Sequence, residues 1–432
     1  MAGDPGADAR AVFQAALEAV DPGRLVRRHL LVDEDGLRFG GRRFPLKDGA
    51  RLVLVGAGKA AVGMAEAVEA LLGPRITRGV VLAVEGTERP LRALRCTPCP
   101  HPLPDERSVA GTRQLLAAVS GLSRDDLVLA LWSGGGSACL GLPVEGITPG
   151  EMAETTRLLL TNHFQIQQVN QVRRVCLAAG DGGVARAASP ARILALVLRD
   201  APLADVASGP TLPGAFGLDQ TISGLRTWGV WTRLPEGVRR RLEGLEGKDP
   251  RKAIDPSLRE RVYHAVIGGP DTALQAALQK AFSLGYASSE ADQPLQWEAR
   301  LAGDLLGRRL RAMASERRGP QAIVAAGETS VAVKGSGRGG RNQELALGAA
   351  LSLSGLDSVA LLAGGTDGVD GASDAAGAVV TGRTCAASSD ADAARKALAD
   401  NDSHAFFLDR PERLVTGTTG TNVADLAVGL VG

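Results

Sequence analysis

Aromatic residues are scarce in this chain: Phe, Trp and Tyr together make up 3% of its 432 residues. A stacking platform for nucleic-acid bases needs several of them, so the composition argues against one. Net charge is lacking too. The formal value of +1 at pH 7 leaves no field to draw in nucleic acid or an anionic membrane surface. No stretch approaches the roughly 20 uninterrupted apolar residues of a membrane span. The opening Met1-Ala2-Gly3-Asp4-Pro5 has neither the basic nor the apolar region of a secretion signal. Five cysteines, an odd number in so long a chain, point to a reducing cytoplasm rather than a disulfide scaffold. Cys96 and Cys99 form a lone C-x-x-C ahead of His101, without the second ligand pair that a zinc site requires. His29, His163, His264 and His404 show no metal-ligand spacing. Lysine is rare beside arginine, which makes Lys59, inside a glycine-rich turn, stand out.

What is present is an ordinary globular composition, 44% apolar and 22% charged, at a length that calls for two or more domains. In the first half, apolar runs at 51–55, 80–84, 127–132 and 193–198 alternate with helical patterns such as Ala60 to Leu72. That alternation predicts a doubly wound, Rossmann-like parallel sheet, with ligands at the carboxyl ends of its strands. Those ends carry Gly56-Ala57-Gly58-Lys59, Ser133-Gly134-Gly135-Gly136-Ser137 and Arg199-Asp200-Ala201-Pro202. Residues 213–260 lack a long apolar run and read as a helical or looped linker. A second α/β unit follows, with strands at 262–267, 322–326 and 359–363, a helix from Asp271 to Leu284 and a closing apolar segment, Val423 to Val431. We place a first domain at 1–250 and a smaller second α/β domain at 251–432, with the extreme C-terminus packing on the first.

Two readings compete at Gly56-Ala57-Gly58-Lys59-Ala60-Ala61. The run fits the dinucleotide fingerprint G-x-G-x-x-[GA], with Glu85 near the position of a ribose-binding acid. Lys59 inside the turn points instead to direct contact with a phosphate or carboxylate. Ser133 to Ser137 offers consecutive N–H groups and two hydroxyls, a nest for phosphoryl oxygens. It has neither P-loop spacing nor a nucleophile elbow. His101 opens a turn with Asp105 and Glu106, and Asn170 and Arg173 lie three apart on one helix face. The densest chemistry is Gly339-Gly340-Arg341-Asn342-Gln343-Glu344, where glycines lead into a helix whose N-terminus favours an anion. A Gly/Asp cluster, residues 364–374, follows and supplies Asp367, Asp370 and Asp374. An anion clamp beside carboxylates suits chemistry on a Mg-bound phosphate.

The motifs also have an order. Gly-Ala-Gly-Lys-Ala (56–60), His-Pro-Leu-Pro-Asp-Glu (101–106), Ser-Gly-Gly-Gly-Ser-Ala (133–138), Asn-Gln-Val-Arg (170–173), Ala-Ser-Gly-Pro-Thr (207–211), Gly-Gly-Arg-Asn-Gln-Glu (339–344), Gly-Thr-Asp-Gly-Val-Asp-Gly (365–371) and Thr-Gly-Thr-Asn-Val-Ala-Asp-Leu (419–426) follow one another over almost the whole chain. Together they resemble the glycerate 2-kinases with a C-terminal MOFRL domain. The resemblance implies ATP- and Mg2+-dependent phosphorylation of D-glycerate to 2-phosphoglycerate, with no nucleic-acid or membrane partner and a homodimer left open. It implies Lys59, Arg341, Asp200 and Asp367 as the catalytic set, with Asp200 and Asp367 toward Mg2+. Gly56, Gly58, His101, Ser133, Gly134, Gly135, Gly136, Ser137, Asn170, Arg173, Ser208, Glu328, Asn342, Glu344, Asp370 and Asp374 would bind substrate or nucleotide. Three departures stand out: Asp181 where relatives carry Lys, the altered loop 199–205, and Gly268-Gly269-Pro270-Asp271. An inward-facing Asp181 would repel phosphate, and Arg174 or Arg199 would then have to stand in for the missing cation. If its loop turns away, the change is silent. Two rival functions remain: a nicotinamide-dependent hydroxypyruvate reductase and a non-catalytic glycerate or nucleotide sensor.

Overall fold

A computed structural model describes residues 3–162, 164, 166–214, 217–248, 256–316 and 318–432. His163 lies outside them. Fifteen strands are described: β1 Leu30–Asp33, β2 Gly36–Phe39, β3 Arg42–Pro45, β4 Leu52–Ala57, β5 Arg78–Val84, β6 Arg95–Cys99, β7 Leu127–Ser133, β8 Arg192–Leu198, β9 Val262–Gly268, β10 Ala287–Glu290, β11 Gln321–Gly327, β12 Val359–Gly365, β13 Gly377–Thr381, β14 Arg413–Leu414 and β15 Asp425–Val431. They fall into two compact units, Pro22–Ile267 and Met1–Asp21 with Gly268–Gly432. The sequence division at 250/251 thus differs from the observed one at both ends. Residues 256–267 stay with the first unit because β9 completes its sheet. The first 21 residues join the second because the helix Pro5–Ala19 buries Ala9, Val12, Phe13 and Ala16 there. No described helix is long and apolar enough to cross a membrane.

The first unit holds an antiparallel meander, β1-β2-β3, and a six-stranded sheet in the order β6-β5-β4-β7-β8-β9. From β6 through β8 every pairing is parallel. Strands β4, β7 and β8 are apolar almost throughout because both faces are covered. The chain runs from β4 outward through β5 and β6, then returns to the other side of β4 as β7. The crevice for a ligand in such a sheet opens where the order reverses, at the carboxyl ends of β4 and β7. The linker expected at 213–260 includes the helices Leu218–Thr227 and Glu236–Glu243. They pack with Pro149–Thr161 and Ile166–Cys176 around Val169, Val172, Ile222, Leu225, Val238 and Leu242.

The second unit is built on a mixed sheet, β10-β11-β15-β12-β13-β14. The C-terminal segment expected to lie on the first domain is instead β15, an interior strand of this sheet, antiparallel to β11 and β12. The helices Ala299–Glu316 and Arg341–Leu353 pack so closely that a Cβ on Gly303 would lie 2.0 Å from the Leu345 carbonyl. Only glycine permits that approach.

Candidate active site

The first-unit cluster grows from the end of β4. Gly58 adopts φ +118°, and a Cβ there would meet the Ser133 carbonyl and hydroxyl oxygens at 2.5 Å, so glycine is required. The amides that follow are all used locally. Gly58 N donates to Leu82 O at 3.1 Å, Lys59 N to Gly134 O at 2.9 Å, and Ala60 N to the Ser133 hydroxyl at 3.0 Å. A dinucleotide turn must leave such groups free for pyrophosphate. Glu85, the expected ribose acid, is paired with Arg107 at 3.2 Å. Gly56 and Gly58 therefore bring the end of β4 against β7 and tie the two loops together, and the reductase reading loses its structural footing.

The loop after β7 behaves differently. Ser133 is fully buried, with its hydroxyl capping the Lys59 turn. Beyond it, no described acceptor takes the N–H of Gly135, Gly136 or Ser137. A Cβ on Gly135 would lie 3.4 Å from Lys59 Cγ and 3.5 Å from His101 Cδ2, so these two side chains flank the loop. The Ser208 hydroxyl donates to the Ser137 hydroxyl at 2.8 Å. It reaches there from a strained turn in which Ala207, Ser208 and Gly209 all have left-handed φ, 51°, 63° and 62°.

Arg174 holds that turn in place. Its guanidinium, 2% exposed, donates to the carbonyls of Ala204 and Leu212 and, through Nε, to Asp181 Oδ1 at 3.2 Å. Asp181 Oδ1 also accepts from Gly214 N at 2.7 Å. The Asp181 side chain is therefore a brace for the 204–214 loop. Arg174 is committed to the same brace and cannot supply a missing phosphate cation. Asp200, half-buried, sits in the bend that follows β8. Arg173, next to Arg174 but on another helix face, is 7% exposed and donates from Nη2 to Pro102 O at 3.1 Å. Burial lowers its pKa to about 10. Asn170 lies half-buried one turn earlier.

The second-unit cluster forms where β11 and β12 end and β15 begins. The register sets Gly327 and Gly365 on either side of Asp425. Arg341 grips Asp425 with Nε and Nη2, the latter at 3.0 Å from Oδ1, and also reaches Glu328 at 3.1 Å. Burial pulls the Arg341 pKa down, but Asp425 and then Glu328 outweigh it and the net shift is upward. Burial raises the pKa of Asp425, against the opposing pull of Arg341. Asp367 Oδ1 accepts from Val369 N at 3.1 Å, beside the same glycine, Gly365.

The helix N-terminus offered to an anion by the sequence already has one. Asp370, 1% exposed, accepts Asn342 N and Gln343 N, each at 2.9 Å. Burial lifts its pKa to about 6 even though four N–H bonds favour the carboxylate. Asn342 and Glu344 are 1% exposed, and Glu344 accepts from Asn401 at 2.8 Å with burial raising its pKa. Asn342, Glu344 and Asp370 thus form an interior polar network. Asp374 is exposed and paired with Arg413. Asp425 was absent from the expected set, although a lone carboxylate inside the apolar run 423–431 was the available signal, since buried charges come paired. Among the described residues, no three His, Cys, Asp or Glu side chains gather as a metal site. Asp200 belongs to the first unit and Asp367 to the second.

Two families match the sequence in turn. One, described as a domain of unknown function (DUF4147), covers residues 8–243, and the other, the MOFRL family, covers residues 321–425. A Thermotoga maritima protein named D-glycerate 2-kinase is 34% identical across 97% of each chain. A Danio rerio protein named glycerate kinase is 35% identical, across 98% of this chain and 97% of its own. The crystal structure of a glycerate kinase from Thermotoga maritima superposes with a TM-score of 0.81 at 34% identity, covering 99% of both chains.

Proposed function

The chain belongs to the glycerate 2-kinase family with a C-terminal MOFRL domain, and from that premise we propose that it transfers the γ-phosphoryl group of ATP to the 2-hydroxyl of D-glycerate, giving 2-phosphoglycerate with Mg2+ as cofactor. The observation that carries this reading is the open loop at the reversal of the first sheet. There, Lys59 and His101 flank three backbone N–H groups that no described acceptor uses, while the neighbouring dinucleotide-like turn is closed. Phosphoryl transfer asks a protein mainly to align donor and acceptor and to offset spreading negative charge.

Lys59 supplies a point charge to a phosphoryl oxygen. Gly135, Gly136 and Ser137 donate N–H bonds to phosphate, and the Ser208–Ser137 pair fixes the loop that presents them. Asp200 in the first unit and Asp367 in the second are each a candidate carboxylate ligand for Mg2+. Two carboxylates with retained water suit that ion, which seldom needs an all-protein cage. When bound, Mg2+ neutralises charge on the donor phosphates. With Asp425 and Glu328 upon it, Arg341 presents no net positive charge. That end of the second sheet therefore favours a phosphate arriving with its metal over a bare anion.

The test is ADP release with ATP, Mg2+ and a panel of small hydroxy acids, with the product resolved by 31P NMR. D-Glycerate should be the preferred acceptor and 2-phosphoglycerate the product. Formation of 3-phosphoglycerate as the main product would overturn the regiochemistry, and binding without turnover would favour a sensor.

A further inference from the structure

Two arginines are buried among the described residues, and one of them has a carboxylate: Arg174 meets Asp181, as the more exposed Arg341 meets Asp425. Arg173, 7% exposed, faces no carboxylate among the described residues, and its hydrogen bond there is to the Pro102 carbonyl. Taking a guanidinium out of water without a counter-charge is costly, and an extended cation of this kind can donate five N–H bonds. One carbonyl takes one of those donors, and the remaining guanidinium nitrogens have no protein partner among the described residues yet are not sealed from solvent. The side chain is not at a random place. Pro102 follows His101, whose ring stands beside Gly135 together with Lys59. Arg173 is thus joined through one hydrogen bond to the loop group that frames the open N–H groups.

We propose that Arg173 binds the carboxylate of the acceptor, with Asn170 one helical turn before it, and so restricts the enzyme to hydroxy acids. The assignment rests on the kinase reading and deepens it by dividing the labour of the cations. A planar fork matches a carboxylate through two parallel bonds. Lys59, a point charge, is left for the phosphoryl group. Arg341 is excluded as carboxylate binder because Asp425 already occupies its fork. Burial then has a use: in a water-poor site the ion pair with substrate is stronger than at a surface, and an alcohol lacking the acid would leave the cation unpaired.

The experiment compares the full-length wild type with Arg173→Ala, Arg173→Met and Arg173→Lys. Steady-state kinetics give KM for D-glycerate and for ATP, and calorimetry gives direct D-glycerate binding without ATP. Glycerol serves as the uncharged acceptor. Losing a charge-assisted pair should raise KM and Kd for D-glycerate about ten- to a hundredfold in the Ala and Met variants. KM for ATP should change by less than about twofold, any turnover of glycerol should not fall, and Lys should restore part of the affinity. The Met variant preserves bulk and keeps the test alive if the Ala variant does not fold. Unchanged D-glycerate affinity, or equal losses for D-glycerate, ATP and glycerol, would overturn the proposal. A wild type that binds D-glycerate without phosphorylating it would defeat the kinase reading alone, since the Kd ratio would still report on Arg173.

Discussion

Arg173, within the helix Ile166–Cys176, and Arg341, at the start of the helix Arg341–Leu353, lie in different units, and the two sites treat a cation in opposite ways. Around Arg341 the protein brings its own anions: Asp425 in a two-point grip, Glu328 beside it, and Asp370 on the adjoining helix N-terminus. Around Arg173 it brings a carbonyl. The first arrangement is complete before any ligand arrives and contributes to the folded state itself. The second is electrostatically unfinished. Two helical arginines therefore do different jobs, and the deciding fact is whether a carboxylate is built in beside them.

The comparison breaks most visibly at Arg341. Arg341→Ala strands Asp425, 2% exposed, without its partner. We expect about 3–5 kcal/mol of lost stability in urea unfolding, mostly recovered when Asp425→Ala is added. Full stability in the single variant would show that the pair is not structural. Asp370 offers a pH test of the same cluster. Its folded pKa, about 6, exceeds an unfolded value near 3.9. The proton-linked stability is therefore fully present below pH 4 and is lost as pH rises through 6, about 3 kcal/mol in all. Asp370→Asn should flatten that part of the stability profile while lowering stability overall through the lost cap. An unchanged slope would remove Asp370 as its source.

On the first-unit side, Lys59→Ala should lower kcat at least about a hundredfold, the scale of one transition-state charge contact, with little change in Tm. Kinetics like those of the wild type would take Lys59 out of the site. The smallest effect belongs to Asp181. Asp181→Asn keeps an acceptor for Arg174 and Gly214 and should cost about 1 kcal/mol. Asp181→Lys sets a second cation against Arg174 and should cost more. Tighter ATP or D-glycerate binding in the Lys variant would show that position 181 faces ligand after all.

The strands were legible where burial on both faces leaves a continuous apolar run, as in β4, β7 and β8. The meander β1–β3 was not, because four-residue strands carrying Arg38, Arg42 and Arg43 resemble surface loop. Nor was β6, whose Pro98 is tolerable only because this strand lies at the sheet edge. At the site, residue types were readable and their partners were not. Asp425 and Arg341 are 84 residues apart, and no local pattern says that a strand register will bring them together. Asp370 is similar: its cluster signalled a ligand-facing carboxylate, whereas the fold turns it inward as the helix cap. The unit boundary failed to show for a related reason. An amphipathic helix such as Pro5–Ala19 announces an apolar face but not which core will receive it.

That helix has a consequence for how the protein is made. It is synthesised before Pro22–Ile267, yet its unit resumes only at Gly268, and β15, which joins β11 to β12, comes after both. The whole of Pro22–Ile267 is synthesised in the interval. Throughout it, Val12, Phe13 and Ala16 have no native partner. At about 5–20 residues per second, this apolar face stays uncovered for tens of seconds while the intervening unit is free to fold. The nascent chain is therefore exposed to wrong association at this helix, and slowing translation between residues 22 and 267 lengthens that exposure without altering a single contact of the finished fold.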